Sequence, residues 1–457
     1  MNRHRSWTLA GVPVVIILGL GCANAPAHHE RDVGPPLVMS AALSHTAYSR
    51  SFPRSLTLKI DLAAAAPPRS RQRPPLNLAL VIDRSGSMAH DDKFDYAMQA
   101  ARLVVENLSA GDIVSVIAFN HQTTVLSPPG PTLNPEFLNH RLDEITPEGW
   151  TNLSAALLEA FDQINHRATA RQIKRVIVLT DGQANQGVTD LRGLRKLVTR
   201  ARRRGIGVST MGCGEDFDET VLIALAKAGG GRYTDIRESE NIPGAMAAEL
   251  NGLLSVVAQN VRVEVVVPEA LRIEAVHGGL LGKPTDTFVF DLGDVREGER
   301  TVLLATLAPH DFLIGEVAGI ECTLSFDRTD LGMRQRQVAR LEAAAVDETE
   351  AELIRQSADR GVVLYANITL ALELAENAVL DLDGESSRVA AELFKQHYEN
   401  ARNYAIQNRD QRLLNQSFML KHFMTELAAA DEAGLLDRRH MVRDVAYRRY
   451  MRRHHAH

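Results

Sequence analysis

Asp83, Ser85 and Ser87 stand in the order D-x-S-x-S. One carboxylate and two hydroxyls on a tight loop supply the hard oxygen ligands that a divalent cation takes, and Gly86 between the serines lets the backbone turn sharply around such an ion. Asp and Ser are also ordinary turn and N-cap residues, so the loop alone does not separate a metal site from a structural turn. Two distant residues extend the set. Thr151 follows Gly149 and Trp150 at the start of a helical pattern, and Asp181 lies between Thr180 and Gly182 at the end of an apolar run. Together the five offer three hydroxyls and two carboxylates. For Thr151, capping of the helix is the competing reading.

Such a set needs elements that converge on it. Residues 76–82 are a near-continuous apolar run, as a strand buried on both faces requires, and Asp83 ends it. Beyond it, helical spacing over 94–108, 153–164, 191–204, 219–228 and 242–257 alternates with strand-like runs at 113–119, 176–179, 208–211 and 232–236. Repeated βα units predict a mostly parallel sheet between helices, with ligands at the carboxyl ends of its strands, just after Ile82, Phe119 and Leu179. The flanks differ. Runs at 38–44 and 56–62 precede a Pro/Arg segment, and runs at 261–265, 287–290, 301–304 and 320–324 are separated by turn signals, which predicts an antiparallel sandwich. From Asp347 onward the period returns to 3.6, with Val389, Leu393, His397, Ala401 and Tyr404 near one face. The expected architecture is a Rossmann-like doubly wound α/β unit at 76–257, inserted in a β-sandwich formed by 38–75 and 258–346. A helical region at 347–457 follows.

Over about residues 76–257 the sequence resembles the von Willebrand factor A domain with its metal-ion-dependent adhesion site. The D-x-S-x-S loop, Thr151 and Asp181 all match the family positions, and Gly205 to Val208, Gly212 to Glu215 and Ala228 to Tyr233 are similar to bacterial members. The resemblance implies that Ser85, Ser87 and Thr151 coordinate Mg²⁺ directly or through water, with Mn²⁺ or Ca²⁺ as alternatives. Asp83 and Asp181 would largely hold waters around the ion. Neutral hydroxyl ligands leave a dication under-neutralised, and Mg²⁺ keeps exchangeable waters, so an incoming carboxylate can replace one. The expected partner is a protein presenting Asp or Glu, and the expected role is adhesion rather than catalysis.

Two other functions compete with this one. A metal-assisted hydrolase or phosphoryl-transfer enzyme would use Asp83, but aspartate-nucleophile phosphatases typically want a second acid where Ser85 stands. Ser85 also lacks a G-x-S-x-G elbow and an assigned histidine. The third reading is a structural scaffold for an envelope complex.

The N-terminus reads as an address. Arg3, His4 and Arg5 precede an uncharged stretch over 7–20, the length of a signal-peptide core and short of the roughly 20 residues of a membrane span. It ends Leu18-Gly19-Leu20-Gly21-Cys22 and resembles a bacterial lipoprotein signal, in which the cysteine becomes the lipidated first residue of the mature chain. Gly19 occupies the place where that signal usually carries Leu, and Leu18 lies one residue further back. A cleaved signal with an incidental cysteine is the competing reading. Residues 1–22 are thus a signal and 23–37, with His28 and His29, a linker. The expectation is export to the cell envelope, with a lipid on Cys22 anchoring the protein to membrane in the periplasm or at the outer membrane.

Composition sets the outer limits. The chain's 457 residues allow about three domains, and 45% hydrophobic with 24% charged residues excludes a disordered or multi-span membrane chain. With 51 Lys and Arg against 57 Asp and Glu, the net charge of −6 provides no cationic excess for nucleic acid. Weaker features take plain readings. His90, Asp91 and Asp92 form a solvated loop rather than a second cation site, Arg202 to Arg204 an exposed helix end, and Asp381 to Glu385 a helix-breaking turn. Residues 438–457 read as a solvated terminal helix rather than a lipid contact. Cys213 and Cys322 fall in different predicted domains and read as separate buried thiols.

Overall fold

The computed structural model describes residues 35–53, 55–65, 73–130, 135–169, 172–214, 217–277, 283–381 and 384–433. Cys22 with the rest of the signal-like segment, His28, His29, and residues 438–457 lie outside the described residues. So do Leu382 and Asp383 of the expected turn. The chain opens with β1 (Leu37–Leu43), β2 (Ala47–Tyr48) and β3 (Leu56–Ala64). A long α/β stretch follows: β4 (Leu76–Asp83), α1 (Lys93–Glu106), β5 (Ile113–Phe119), β6 (Thr123–Gly130), α2 (Pro135–Asp143), α3 (Leu153–His166), β7 (Ile173–Thr180), α4 (Leu191–Arg202), β8 (Ile206–Cys213), α5 (Glu219–Gly229), β9 (Tyr233–Ile236) and α6 (Ile242–Leu254).

These strands form one sheet in the order β6-β5-β4-β7-β8-β9, parallel except at β6. The apolar continuity of β4 follows from its position. Leu78, Leu80 and Ile82 pack with residues of α1 and α6 on one face, while Ala79 and Val81 pack with α3 and α4 on the other. Strand β6 and helix α2 were not legible in the sequence. Pro128 and Pro129 remove ladder donors, which only an edge strand tolerates. The winding reverses at β4: the chain leaves it for β5 on one side, and β7 pairs on the other with Ile82 opposite Leu179. A crevice opens at the carboxyl ends of strands at such a reversal.

The chain then adds β10 (Val256–Val266), β11 (Leu271–Val276), β12 (Thr287–Arg296), β13 (Arg300–Pro309), β14 (Val317–Arg328) and β15 (Arg334–Ala345). With β1 to β3 they make two sheets, β1-β3-β13-β11 and β12-β10-β14-β15-β2, so the α/β unit interrupts a β-sandwich. Leu56, Leu58, Ile60 and Leu62 share its core with Val261, Val263 and Val265. The helix expected to reach 257 stops at Leu254, and β10 begins at Val256, where Val256 and Ala258 pair with Arg296 and Val295. Val256, Val257 and Ala258 suit either periodicity, and strand pairing decides. Strand β15 escaped notice because its core face is built from Ala339, Ala343 and Ala345, which carry little hydrophobic contrast.

Last come α7 (Ala351–Gln356), α8 (Arg360–Asp381), α9 (Gly384–Asn408) and α10 (Gln411–Ala433). Leu304 of β13 packs among Tyr365, Ile368, Leu372, Leu413 and Leu420. Arg412 pairs with Asp61, and the Lys59 ammonium lies 5.1 Å from the Tyr365 ring centre. The polar face of β3 is therefore roofed by helices. Among the described residues no helix is long and apolar enough to cross a membrane.

A buried charge network joins the α/β unit to the sandwich. Arg175 of β7 donates to Asp294 at 2.5 Å, Arg232 to Glu299 at 2.9 Å, and Arg296 to Glu249 of α6 at 2.6 Å. The Ser209 hydroxyl also donates to Glu249 at 2.6 Å. Burial would raise the Glu249 pKa, but Arg296, Arg175 and Ser209 outweigh it and hold the carboxyl below its usual range. Arg202, expected at an exposed helix end, instead pairs with Asp291 of β12 at 2.5 Å. The sequence could not reveal a partner some 90 positions away.

Candidate metal centre

The carboxyl ends of β4 and β7 present Asp83 and Asp181 side by side at the sheet's reversal. Asp83 is wholly buried and is satisfied locally: its Oδ1 accepts from the Ser85 amide at 2.8 Å and its Oδ2 from the Thr180 hydroxyl at 2.5 Å. These bonds fold the loop back over the strand end. The Ser85 and Ser87 hydroxyls lie 3.2 Å apart, and Ser87 donates to Asp181 Oδ1 at 2.6 Å.

Thr151 reaches the same point from a different loop, and its route is built residue by residue. Asn120, just past β5, is fully buried; its side chain donates to the Glu148 carbonyl and its own carbonyl accepts from the Asn152 amide, both at 2.8 Å. The Gly86 amide donates to the Gly149 carbonyl at 3.1 Å. Gly149 has φ +77, and a Cβ there would lie 2.4 Å from His121 Nδ1, so this loop needs glycine. On the other side, the Thr151 amide donates to Asn185 Oδ1 at 2.9 Å and its carbonyl accepts from the Asn185 amide at 3.1 Å. The helix cap is the next residue: Asn152 accepts from the Ala155 amide at 3.1 Å, which leaves the Thr151 hydroxyl free of capping.

All five sequence-predicted residues are thus brought together. Gly182 marks their meeting point. A Cβ placed there would sit 3.3 Å from Thr151 Oγ1, 3.8 Å from Ser87 Oγ and 4.0 Å from Asp83 Oδ2, so the missing side chain keeps a cradle open among the oxygens. The donors are hard oxygens, the set that suits Mg²⁺, Mn²⁺ or Ca²⁺. Among the described residues no group of three or more His, Cys, Asp or Glu is placed to hold a metal, so a centre here relies on hydroxyls. His90, Asp91 and Asp92 are exposed and do not join it; both aspartates have left-handed backbone, φ 56 and 54.

The sequence reading missed one charged member. Lys93, the first residue of α1, is buried, and its ammonium donates to Asp181 Oδ2 at 2.9 Å. Burial would lower its pKa, but the Asp181 bond and charge outweigh that and hold it above the usual lysine range. A cation in the first helical turn opposes the helix dipole, and that oddity is the signal that marks it. Burial pushes the Asp83 carboxyl up to about 6, with the Thr180 and Ser85 bonds opposing. Beside this cluster Trp150 is 63% exposed, uncommon for so large an apolar side chain. Cys213 and Cys322 are separate buried thiols, not joined in a disulfide.

The family model for the von Willebrand factor type A domain matches residues 77–248. The chain is 26% identical over 270 residues to the uncharacterized protein YfbK of Escherichia coli (strain K12), covering 58% of this chain and 46% of that protein. It is 28% identical over 196 residues to human inter-alpha-trypsin inhibitor heavy chain H6, covering 40% and 14%. The chain therefore spans less than half the length of these relatives. Two solved structures share the fold at 16% identity. A von Willebrand factor type A protein from Catenulispora acidiphila gives a TM-score of 0.60 over 83% of this chain and 89% of its own. The ArnB paralog VWA2 from Sulfolobus acidocaldarius gives 0.57 over 91% and 98%. Both likenesses extend well beyond 77–248.

Proposed function

Residues 77–248 are a von Willebrand factor type A domain, and from that premise we propose that this protein is a non-enzymatic adhesion module that captures an Asp or Glu side chain of a protein partner through Mg²⁺. The observation that carries the reading is the cradle at Gly182, where Thr151, Ser87 and Asp83 oxygens face one point. Ser85, Ser87 and Thr151 would hold the ion, with Asp83 and Asp181 holding its waters. A bound dication supplies a Lewis-acidic position at which a carboxylate replaces water. The chain's own residues fix the hydroxyls, keep both carboxylates buried and leave the outer side to the partner.

The match to the von Willebrand factor type A family supports an interaction domain in general; the acidic ligand, the metal and the envelope location extend that reading. In the same reading, the signal-like N-terminus exports the chain and a lipid on Cys22 holds it at the membrane. Among the described residues, the Ser85 and Ser87 hydroxyls face each other and the Asp83 and Asp181 carboxylates rather than a histidine, which favours a ligand set over a serine–histidine nucleophile. The test is capture from source-cell envelope with the wild type and Asp83→Ala, each with and without EDTA. A partner retained only by wild type without chelator supports the reading. A partner retained equally in all four arms overturns it.

A further inference from the structure

Lys93 stands where lysine is costly. It opens a helix against the dipole, is removed from water, and has immobilised a long flexible side chain. The fit is close: a Cβ on Gly214 would lie 3.1 Å from both its Cε and its Nζ. Its ammonium takes one oxygen of Asp181 while Ser87 takes the other, so neither oxygen of that carboxylate is left to rotate freely toward an ion.

The buried charges around the cradle are two carboxylates and one ammonium, a sum of −1 when both acids are ionised; Asp91 also acts on Lys93, but it is exposed and screened by water. A dication brings the sum to +1. Without the ammonium the two buried carboxylates alone would neutralise the same ion. A unit charge a few ångströms away in a partly buried site is a sizeable term, so the difference decides how hungry the loaded site is for an anion. Resting on the metal reading above, we infer that Lys93 is a positioning and charge-setting residue: it weakens binding of the metal alone and leaves the loaded site net positive, so that a ligand carboxylate completes the neutralisation. Metal and ligand then bind cooperatively, each raising the affinity of the other by the same factor.

The experiment is calorimetric titration of the full chain with Mn²⁺ at pH 8, with and without acetate as the carboxylate probe, for wild type, Lys93→Met and Lys93→Arg. Lys93→Met is expected to bind Mn²⁺ alone at least about tenfold more tightly and to lose most of the gain that acetate gives wild type. Lys93→Arg, which keeps the charge, is expected to behave as wild type. Should Lys93→Met fail to fold, Lys93→Gln carries the same expectation, since it keeps a donor to Asp181 without the charge. Unchanged or weaker Mn²⁺ binding by a folded neutral variant, with wild type binding normally, overturns the role of Lys93 alone. No Mn²⁺ binding by wild type or any variant overturns the metal reading and this inference with it.

Discussion

Arg175 and Asp83 lie on adjacent strands of one sheet, and the charge clusters around them are balanced in opposite ways. At the junction with the sandwich, Arg175, Arg232 and Arg296 face Asp294, Glu249 and Glu299, and every carboxylate has a guanidinium within 2.9 Å. At the carboxyl edge, two buried carboxylates share a single ammonium, and Asp83 is held by a hydroxyl and an amide with its pKa at about 6. A matched network joins two units and has nothing left to bind. An unmatched one keeps a standing affinity for positive charge, and it lies where the fold opens a crevice.

The comparison can be broken at either end. The largest effect belongs to the junction. Glu249→Ala strands Arg296 without its partner and is expected to cost about 3–5 kcal/mol in urea unfolding; a loss under about 1 kcal/mol would mean the network is not the joint between the units. At the other end, removing a carboxylate should cost binding and not folding. Asp83→Asn is expected to weaken Mg²⁺ binding by about a hundredfold, about 2.7 kcal/mol, with metal-free stability at pH 8 equal to or above wild type. Joint loss of both would place Asp83 with the junction residues.

The pH dependence sharpens the contrast. Because burial raises the folded-state pKa of Asp83, this group favours the metal-free fold below the unfolded value near 3.8 and withdraws that support as pH rises through about 6. Cation binding has the opposite sign, since it needs the ionised form. Mg²⁺ should therefore bind about tenfold more weakly at pH 5 than at pH 8, read as a smaller Mg²⁺-induced rise in Tm. The smallest effect separates neighbours: Asn152→Ala is expected to cost about 1 kcal/mol of stability as a lost N-cap while leaving Mg²⁺ affinity within about threefold.

The five residues of the candidate site were legible because each stands where a pattern changes: Asp83 and Asp181 where apolar runs end, Thr151 where helical spacing begins. Ends of elements are where short polar side chains declare themselves. Lys93 was missed because the helical spacing was read from Phe94, one residue too late, which left its charge against the dipole out of view. What periodicity could not show were features fixed by distant partners: Pro128 and Pro129 in an edge strand, the alanine face of β15, Arg202 held by Asp291, and the start of β10 at Val256. Each depends on a neighbour that only the folded chain supplies. Asn152 shows the finest case, for one step along the chain separates the cap from the hydroxyl that faces the cradle.

The exposed indole of Trp150 gives the molecule an optical gauge of its own. The sequence holds two tryptophans, Trp7 and Trp150, so a Trp7→Phe chain has one indole, covalently adjacent to Thr151. Tb³⁺ in the cradle would sit close enough to receive excitation from that ring, and its green emission would report occupancy directly. Displacement by Mg²⁺, or shielding of the ring by an arriving partner, can then be followed in the same cuvette without a label.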